Sequence, residues 1–224
     1  MTKISASILN ADLSNLGHEV ARVHKAGAAM LHIDVMDGIF VPPLTIGDVV
    51  VKSLRNHIGN NIDIVFDTHL MVSNPSEKLI ENFADAGSDY ISVHIESGCD
   101  VKAALRQIRS LGCKAGLAIN PPTPIEAAFE FIESADMFII MSVNPGYGGQ
   151  AFIPESVDKI AALRAEAKRR GIDVLIEVDG GVNDKTAPDV IKAGADILVA
   201  GTYLFNSADM KAAVDTLRPS GTSL

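Results

Sequence analysis

The sequence predicts a closed (β/α)8 barrel, and three observations support this fold class. The chain has 224 residues, within the roughly 200 to 250 that such a barrel commonly occupies as one unit. Eight apolar, β-rich runs alternate with longer segments of helical period. Histidines and carboxylates recur at the ends of these runs, where barrel enzymes carry their active sites. We therefore expect residues 1–224 to form one catalytic barrel domain.

The predicted strands are short runs rich in β-branched and other apolar residues. They cover residues 4–8, 30–35, 62–71, 90–94, 114–119, 137–143, 174–178 and 197–200. A doubly wound open sheet is the alternative arrangement of the same alternating pattern. Eight strands and the absence of a linker favour the closed barrel.

Helices are predicted between the strands over residues 14–26, 75–86, 101–111, 154–170 and 186–193. Asn74-Pro75 resembles a helix start with proline in the first turn. Three similar segments connect the end of a helix to the next strand. They contain Gly27, Gly87 and Gly194, each preceded by alanine. Glycine can adopt the left-handed conformation that ends a helix, so these glycines are predicted to be structural.

Composition restricts the function classes. The formal charge of -9 argues against nonspecific nucleic-acid binding, which depends on basic surface. No apolar stretch is long enough to span a bilayer, and no signal peptide is evident. Cys99 and Cys113 lack metal-site spacing and fit a reducing compartment. We expect a cytoplasmic protein that binds neither nucleic acid nor membrane.

The ends of three predicted strands carry ligand-type side chains. In the second strand, the period of two places His32, Asp34 and Met36 on one face and leaves Leu31, Ile33 and Val35 on the other. The third strand repeats this arrangement with Asp67, His69 and Met71. The seventh ends in Glu177-Val178-Asp179, directly before two glycines.

A metal site is the functional interpretation of these strand ends. Neutral imidazoles and carboxylates bind divalent cations of the Zn, Fe, Mn or Co type. The predicted ligands are His32, Asp34, His69 and Asp179. The alternative is that each histidine is hydrogen-bonded in the barrel interior. Four ligand-type residues at three strand ends favour one bound divalent ion, whose identity the ligand types leave open.

Asp34 and Asp179 also suit proton transfer. Strands two and seven lie on well-separated parts of an eight-strand ring, so the two carboxylates are expected on different sides of a central substrate. One carboxylate can remove a proton from a carbon and the other can deliver a proton to its opposite face. Beside a carbonyl, a chelated cation would stabilise the resulting enediolate. This chemistry inverts a stereocentre.

Glycine-rich segments follow the last three strands. They contain Gly146, Tyr147, Gly148 and Gly149, then Gly180 and Gly181, then Gly201 and Thr202. Glycines let backbone amides approach a phosphate, and these loops are a frequent phosphate site in the barrel. A single glycine-rich turn is often only a turn, but three together predict a phosphate subsite that uses no lysine.

Other side chains at strand ends admit two interpretations. Met36, Met71 and Met141 are either core residues or a hydrophobic shield around the reacting carbon. Ser7 either contacts a substrate hydroxyl or bonds the backbone. His94 is expected to be structural.

Taken in order, these motifs closely resemble the ribulose-phosphate 3-epimerase family. The resemblance spans essentially the whole chain and rests on Ser7-Ile8-Leu9, His32 through Gly38, Phe40-Val41-Pro42, His69 through Val72, Asn120-Pro121, Met141 through Gln150, and Glu177 through Gly181. Such a series is far more specific than any single motif.

The resemblance implies a metal-dependent barrel of the ribulose-phosphate binding type, which interconverts ribulose 5-phosphate and xylulose 5-phosphate. It implies that Asp34 and Asp179 are the acid-base pair. It also implies that the metal ligands are His32, Asp34, His69 and Asp179. It also implies sugar contacts by Ser7 and His69, and phosphate contacts by residues 146–149, Gly181, Gly201 and Thr202. A homo-oligomer is expected.

Two positions depart from the family's usual pattern, Pro43 and Thr68. Thr68 is expected to point away from the interior, whereas Pro43 lies in a loop where it could alter closure over the substrate. The rival activities are epimerisation of allulose 6-phosphate and sugar-phosphate binding without turnover. A decarboxylase of the orotidine monophosphate type is disfavoured, because Met36 occupies the position of the lysine that such enzymes carry between two aspartates.

Overall fold

Eight parallel strands close into a barrel in the computed structural model, which describes residues 2–59 and 61–218. The strands are β1 Lys3–Ser7, β2 Met30–Met36, β3 Val65–Met71, β4 Tyr90–His94, β5 Lys114–Ile119, β6 Met137–Met141, β7 Leu175–Asp179 and β8 Ile197–Ala200. Each strand pairs with the next, and β8 pairs with β1. The predicted closed barrel is confirmed, and all eight predicted strands are present.

The helices surround the sheet. They are α1 Leu16–Lys25, α2 Asp48–Ile58, α3 Glu77–Asp85, α4 Val101–Ser110, α5 Ser156–Arg170, α6 Ala187–Ala193, α7 Thr202–Phe205 and α8 Met210–Thr216. Short 3₁₀ segments cover Ile8–Asn10, Leu13–Asn15 and Ile125–Phe131. The last of these connects β5 to β6. No helix among the described residues is both long and apolar enough to cross a lipid bilayer.

The helices differ in several places from the sequence prediction: α1 and α5 start two residues later than predicted, and no helix was predicted at α7 or α8. The structure begins α3 at Glu77, where the Ser76 hydroxyl accepts a hydrogen bond from the Leu79 N–H at 3.2 Å, so a start at Pro75 was wrong. The prediction placed no helix at α2, which follows Gly47 and has no side-chain cap. Its buried residues Val51, Leu54 and Ile58 nevertheless recur at helical spacing.

The alternation along β2 separates two environments. Leu31, Ile33 and Val35 join the large core between the sheet and the helices. His32 and Asp34 lie on the other face and are buried inside the barrel. A separate apolar cluster that includes Met30, Met137, Met141 and Ile197 fills part of the interior.

Arginine side chains donate hydrogen bonds to the backbone at the three glycines that end helices. Gly27, Gly87 and Gly194 all have positive φ, as predicted for left-handed helix ends. Their carbonyl oxygens accept hydrogen bonds from Arg218, Arg55 and Arg164 respectively. Planar guanidinium groups can serve several acceptors at once. The repeated sequence therefore corresponds to a repeated interaction, in which an arginine side chain binds the carbonyl oxygen of the glycine at a helix end.

Asp37 ties together two loops at the open end of the barrel. One of its carboxylate oxygens accepts hydrogen bonds from the N–H groups of Ile39 and Phe40, both at 2.8 Å. The other oxygen accepts from the Ser73 N–H, also at 2.8 Å. Although partial burial opposes ionisation, these three backbone donors lower the pKa of Asp37. Asp37 therefore has a structural role in the loops after β2 and β3.

Asp37→Asn should reduce the free energy of unfolding by about 1 to 3 kcal/mol at pH 7, because charge-assisted hydrogen bonds become neutral or are lost. A folded-state pKa below the unfolded value of about 3.9 stabilises the fold above that pH. The stabilisation disappears as the pH falls through the folded-state pKa, so the difference between variant and wild type should shrink toward acid pH.

Urea unfolding at several pH values measures this difference. Asp184→Asn is the control, because Asp184 is exposed and its carboxylate makes no hydrogen bond within the described part of the chain. An Asp37→Asn cost that is independent of pH would contradict the charge-based explanation.

Candidate metal and proton-transfer site

Four side chains from β2, β3 and β7 converge inside the barrel mouth. The ligand atoms of His32, Asp34, His69 and Asp179 all lie within 4.8 Å of one another. His32 Nε2 lies 3.2 Å from His69 Nδ1, 3.4 Å from Asp34 Oδ1 and 3.6 Å from Asp179 Oδ2. His69 Nδ1 lies 3.5 Å from Asp34 Oδ1 and 3.7 Å from Asp179 Oδ2.

These separations fit a single divalent cation. Zinc binds imidazole nitrogen and carboxylate oxygen at about 2.0 to 2.2 Å, so ligand atoms at the corners of a tetrahedron are about 3.3 to 3.6 Å apart. The five measured separations span 3.2 to 3.7 Å. The four residues predicted as ligands therefore form a cluster that could hold a metal ion. Their role as ligands stays a prediction.

The second ring nitrogen of His32 faces a pair of carboxyl groups. His32 Nδ1 lies 2.7 Å from Asp67 Oδ2 and 3.2 Å from Glu177 Oε1, and all three side chains are fully buried. Burial opposes charge on His32, yet the carboxylates of Asp34, Asp67 and Asp179 raise its pKa well above its usual value. A ring that donates from Nδ1 to Asp67 keeps Nε2 free for a metal.

Glu177 differs from the other carboxyl groups around His32. Burial and the neighbouring Asp67 carboxylate raise the pKa of Glu177 well above its usual range. Both Glu177 oxygens and Asp67 Oδ1 lack hydrogen-bond partners among the described residues. A protonated Glu177 relieves the repulsion between two buried carboxylates. The sequence showed Asp67 on the interior face, but neither residue was predicted to orient His32.

The two oxygens of Asp34 have different partners. Oδ1 faces the imidazoles, whereas Oδ2 accepts a hydrogen bond of 2.7 Å from the Ser7 hydroxyl. Burial alone would raise the pKa of Asp34, but His32 and His69 hold it far below its usual range. Asp179 contributes Oδ2 to the cluster from β7, and 15% of its side chain is exposed.

A cavity of about 720 Å³ opens directly above this cluster, within the usual size range of small-molecule sites. Its lining includes Ser7, Asp34 and Asp179. The three methionines proposed as a shield, Met36, Met71 and Met141, also line it. Met36 and Met71 pack with Val41, whereas Met141 belongs to the interior apolar cluster. Soft apolar groups therefore surround the carboxylates, and shielding stays a prediction.

The predicted phosphate loops lie on the same cavity. All eight residues line it, namely Gly146, Tyr147, Gly148, Gly149, Gly180, Gly181, Gly201 and Thr202. Tyr147 is 60% exposed, so its side chain extends largely into solvent. Within the described part of the lining there is no lysine or arginine. Backbone amides and neutral polar side chains such as Asn10 and Thr202 are thus the available donors for an anion.

Two glycines are required where the loops after β6 and β7 meet. Gly180 has φ +119°, and a side chain there would collide with Val143. Gly181 has φ +65°, and a Cβ would lie 2.7 Å from the backbone nitrogen of Phe152. Only glycine accommodates both the left-handed backbone and this close approach.

Asn10 lines the cavity although the sequence analysis did not select it. A Cβ on Gly148 would lie 2.7 Å from the Asn10 carboxamide, and a Cβ on Gly201 would also collide with it. The side chain therefore lies between two of the glycine loops. Its position three residues after Ser7, just beyond β1, was the available signal.

The two departures from the family pattern have different surroundings. Thr68 is fully buried outside the barrel interior, and its hydroxyl pairs with that of Ser88 at 2.7 Å. Among the described residues, its hydroxyl makes no hydrogen bond to the four-residue cluster. Pro43 Cδ lies 3.7 Å from the position of a Cβ on Gly146, so this proline packs beside the loop after β6.

Comparison with known proteins identifies the family. Residues 3–205 match the model of the ribulose-phosphate 3 epimerase family. The chain belongs to this family. It is therefore an isomerase, and the resemblance seen in the motifs is confirmed.

Named members of the family match over nearly their full length. The ribulose-phosphate 3-epimerase of Synechocystis is 45% identical over 97% of this chain and 93% of its own. The Bacillus subtilis protein of the same name is 43% identical over 98% of this chain and 100% of its own. The Escherichia coli protein is 43% identical, with coverages of 96% and 94%.

More distant solved structures share the fold. A 3-hexulose-6-phosphate synthase from Salmonella typhimurium superposes with a TM-score of 0.69 at 17% identity, covering 96% of each chain. A 3-keto-L-gulonate-6-phosphate decarboxylase from Vibrio cholerae gives 0.68 at 18% identity, covering 96% of this chain and 95% of its own. At such low identity, the similarity supports the barrel fold alone.

Gly181→Ala should destabilise the fold by about 1 to 3 kcal/mol, because the new Cβ meets both an unfavourable φ and the backbone of Phe152. Gly171→Ala is the matched control, since Gly171 has a similar φ of +70° but nothing within 4 Å of an added Cβ. Urea unfolding of both variants measures the two costs. Equal losses would mean that the close approach to Phe152 contributes nothing.

Proposed function

We propose that the chain interconverts D-ribulose 5-phosphate and D-xylulose 5-phosphate by moving the proton at C3. The observation that carries this proposal is the position of Asp34 and Asp179, which meet from different strands in a metal-type cluster beneath a cavity. The names of the Synechocystis, Bacillus subtilis and Escherichia coli relatives support the same reaction.

Asp34 and Asp179 are the proposed acid-base pair. A ketose placed above the cluster presents the two faces of C3 to carboxylates from β2 and β7. One carboxylate takes the C3 proton, and the other, protonated, delivers a proton to the opposite face. Their roles exchange when the reaction runs in reverse. Ser7 holds Oδ2 of Asp34 at 2.7 Å and can rotate its hydroxyl toward a sugar oxygen.

His32, Asp34, His69 and Asp179 would hold one divalent cation, for which Zn, Fe, Mn and Co are the proposed identities. When bound, such a cation supplies a Lewis acid that stabilises negative charge on the substrate oxygens beside C3. The apolar Met36, Met71 and Met141 exclude water from the same space, which strengthens these electrostatic interactions.

The phosphate of the substrate is proposed to bind at the glycine loops. This side of the cavity is lined by Gly146 to Gly149, Gly180, Gly181, Gly201 and Thr202, whose backbone N–H groups are the proposed donors. Glycines permit the close approach that a phosphate needs. Binding there places the phosphorylated end of the ketose away from the carboxylates, with the reacting carbon over the cluster.

The wider setting is also part of the proposal. Residues 1–224 are proposed to act as one catalytic domain in a cytoplasmic homo-oligomer. The barrel topology and the close match to bacterial relatives support the single catalytic domain.

In deuterated water, the product should acquire deuterium at C3, because an Asp34 or Asp179 carboxyl group exchanges its proton with solvent. Mass spectrometry and proton NMR of the product detect this label. Asp179→Asn should abolish turnover while circular dichroism shows an intact fold. Unlabelled product formed by active wild type would refute the two-carboxylate mechanism, and inactivity with added metal would favour a barrel that only binds sugar phosphates.

Ribulose 5-phosphate should give a higher kcat/KM than allulose 6-phosphate, because the relatives that match over nearly the whole chain are named ribulose-phosphate 3-epimerases. Side-by-side kinetics with the same metal-loaded protein measure the ratio. A higher kcat/KM for allulose 6-phosphate would assign the chain to the hexulose reaction, with the acid-base chemistry unchanged.

A further inference from the structure

A chain of hydrogen bonds leads from the cluster to the loop after β5. His69 Nε2 lies 2.8 Å from His94 Nε2, and His94 Nδ1 lies 3.1 Å from Glu96 Oε2. Both imidazoles are fully buried, and the Phe40 ring packs against His94 with a centroid separation of 4.7 Å. Neither His94 nor Glu96 lies in the four-residue cluster.

The direction of each hydrogen bond follows from the role of His69. Its Nδ1 faces the cluster and must be unprotonated to bind a metal, so the ring proton resides on Nε2. Nε2–H of His69 then donates to His94 Nε2, which must be unprotonated. His94 therefore carries its proton on Nδ1 and donates it to Glu96. With Nδ1 of His69 free for a metal, only this sequence of tautomers pairs one donor with one acceptor at both contacts.

Glu96 is fixed at the end of this chain. Its Oε1 accepts hydrogen bonds from the Asn120 N–H at 2.9 Å and from the Thr123 hydroxyl at 2.5 Å. Burial would raise the pKa of Glu96, but its bonds with His94, Thr123 and Asn120 lower it. Because Nε2 of His94 accepts the hydrogen bond from His69, the His94 ring carries a single proton, on Nδ1, and is neutral. A carboxylate that only accepts hydrogen bonds thus faces a neutral imidazole.

Lys159 holds the loop that carries these donors. Its ammonium group donates to the carbonyl oxygens of Asn120, Pro121 and Thr123 at 3.2, 2.6 and 2.6 Å. Glu96 is therefore held by the loop after β5, and that loop is in turn held by Lys159 on α5. These contacts keep Glu96 Oε2 opposite His94.

We propose that His94 and Glu96 are positioning residues, which fix the tautomer of His69 so that Nδ1 can bind the metal. The inference rests on the metal site of the proposed function. His32 has a carboxylate directly on its second nitrogen, whereas His69 receives the same orientation through an intervening imidazole.

Without the Glu96 carboxylate, His94 can place its proton on Nε2 and oppose the N–H of His69 across 2.8 Å. His69 must then move or transfer its proton to Nδ1, and either change weakens a metal ligand. Loss of such outer hydrogen-bond partners typically lowers metal affinity 10- to 100-fold.

Glu96→Gln tests the proposal with Zn²⁺ and Co²⁺ as probes. An amide has one acceptor oxygen, which cannot serve both His94 and the donors of the β5 loop. Competition with a chelator should show a 10- to 100-fold weaker Zn²⁺ affinity, and the Co²⁺ absorption spectrum should change. Glu166→Gln is the matched control, because Glu166 lies on α5 and pairs only with Arg169 and Arg170 among the described residues. Its Zn²⁺ affinity should equal that of wild type.

His94→Gln separates positioning from a general structural role. A glutamine oxygen can accept from His69 Nε2–H whatever occupies position 96, so adding Glu96→Gln to His94→Gln should weaken Zn²⁺ binding no further. Thermal unfolding of the metal-free variants reports any loss of fold separately. Two results would overturn the proposal. One is a Zn²⁺ affinity of Glu96→Gln equal to that of wild type. The other is a loss of affinity from His94→Gln to the double variant as large as the loss from wild type to Glu96→Gln.

The same titrations distinguish this inference from the proposed function. If wild type binds Zn²⁺ and Glu96→Gln binds it equally well, only the positioning role is overturned. A wild type that binds neither Zn²⁺ nor Co²⁺ overturns both the positioning role and the metal part of the proposed function.

Discussion

The site depends first on the pairing of β2 with β3. Seven residues of each strand are in register, and this register places His32 beside Asp67 and Asp34 beside His69. Because side chains alternate between faces, shifting either strand by one residue would carry its two polar groups into the apolar layer beneath the helices. Barrel closure then brings Asp179 from β7 to the same point. Backbone hydrogen bonding thus determines the distances between the functional atoms.

That arrangement concentrates ionisable groups in a buried space. Burial opposes every charge there, so each group needs a partner. His32 and His69 keep Asp34 ionised, and Asp67 accepts the hydrogen bond from His32 Nδ1–H. Glu177 responds oppositely, because a nearby carboxylate and burial both favour its neutral form. The surroundings of each group, rather than its residue type, determine its charge.

The loops at the open end of the barrel are held in place by hydrogen bonds and by close packing. Asp37 ties the loops after β2 and β3 through backbone bonds, and Lys159 ties the loop after β5. Gly181 allows the loops after β6 and β7 to touch. Loops held in this way can present backbone amides and carboxylates in a fixed arrangement, which is the physical requirement for binding a small anion above a reacting centre.

The sequence by itself determined the strand order, the two faces of each strand and the candidate ligands His32, Asp34, His69 and Asp179, because these follow from local periodicity and from motifs contiguous in the chain. It missed α2, which lacks a capping side chain, and it missed the contacts of Asn10, Glu96 and Glu177. Those contacts join residues from different strands and loops. Only the closed tertiary structure decided them, since the distance and burial that define a hydrogen-bond partner or a shifted pKa arise when separate segments meet.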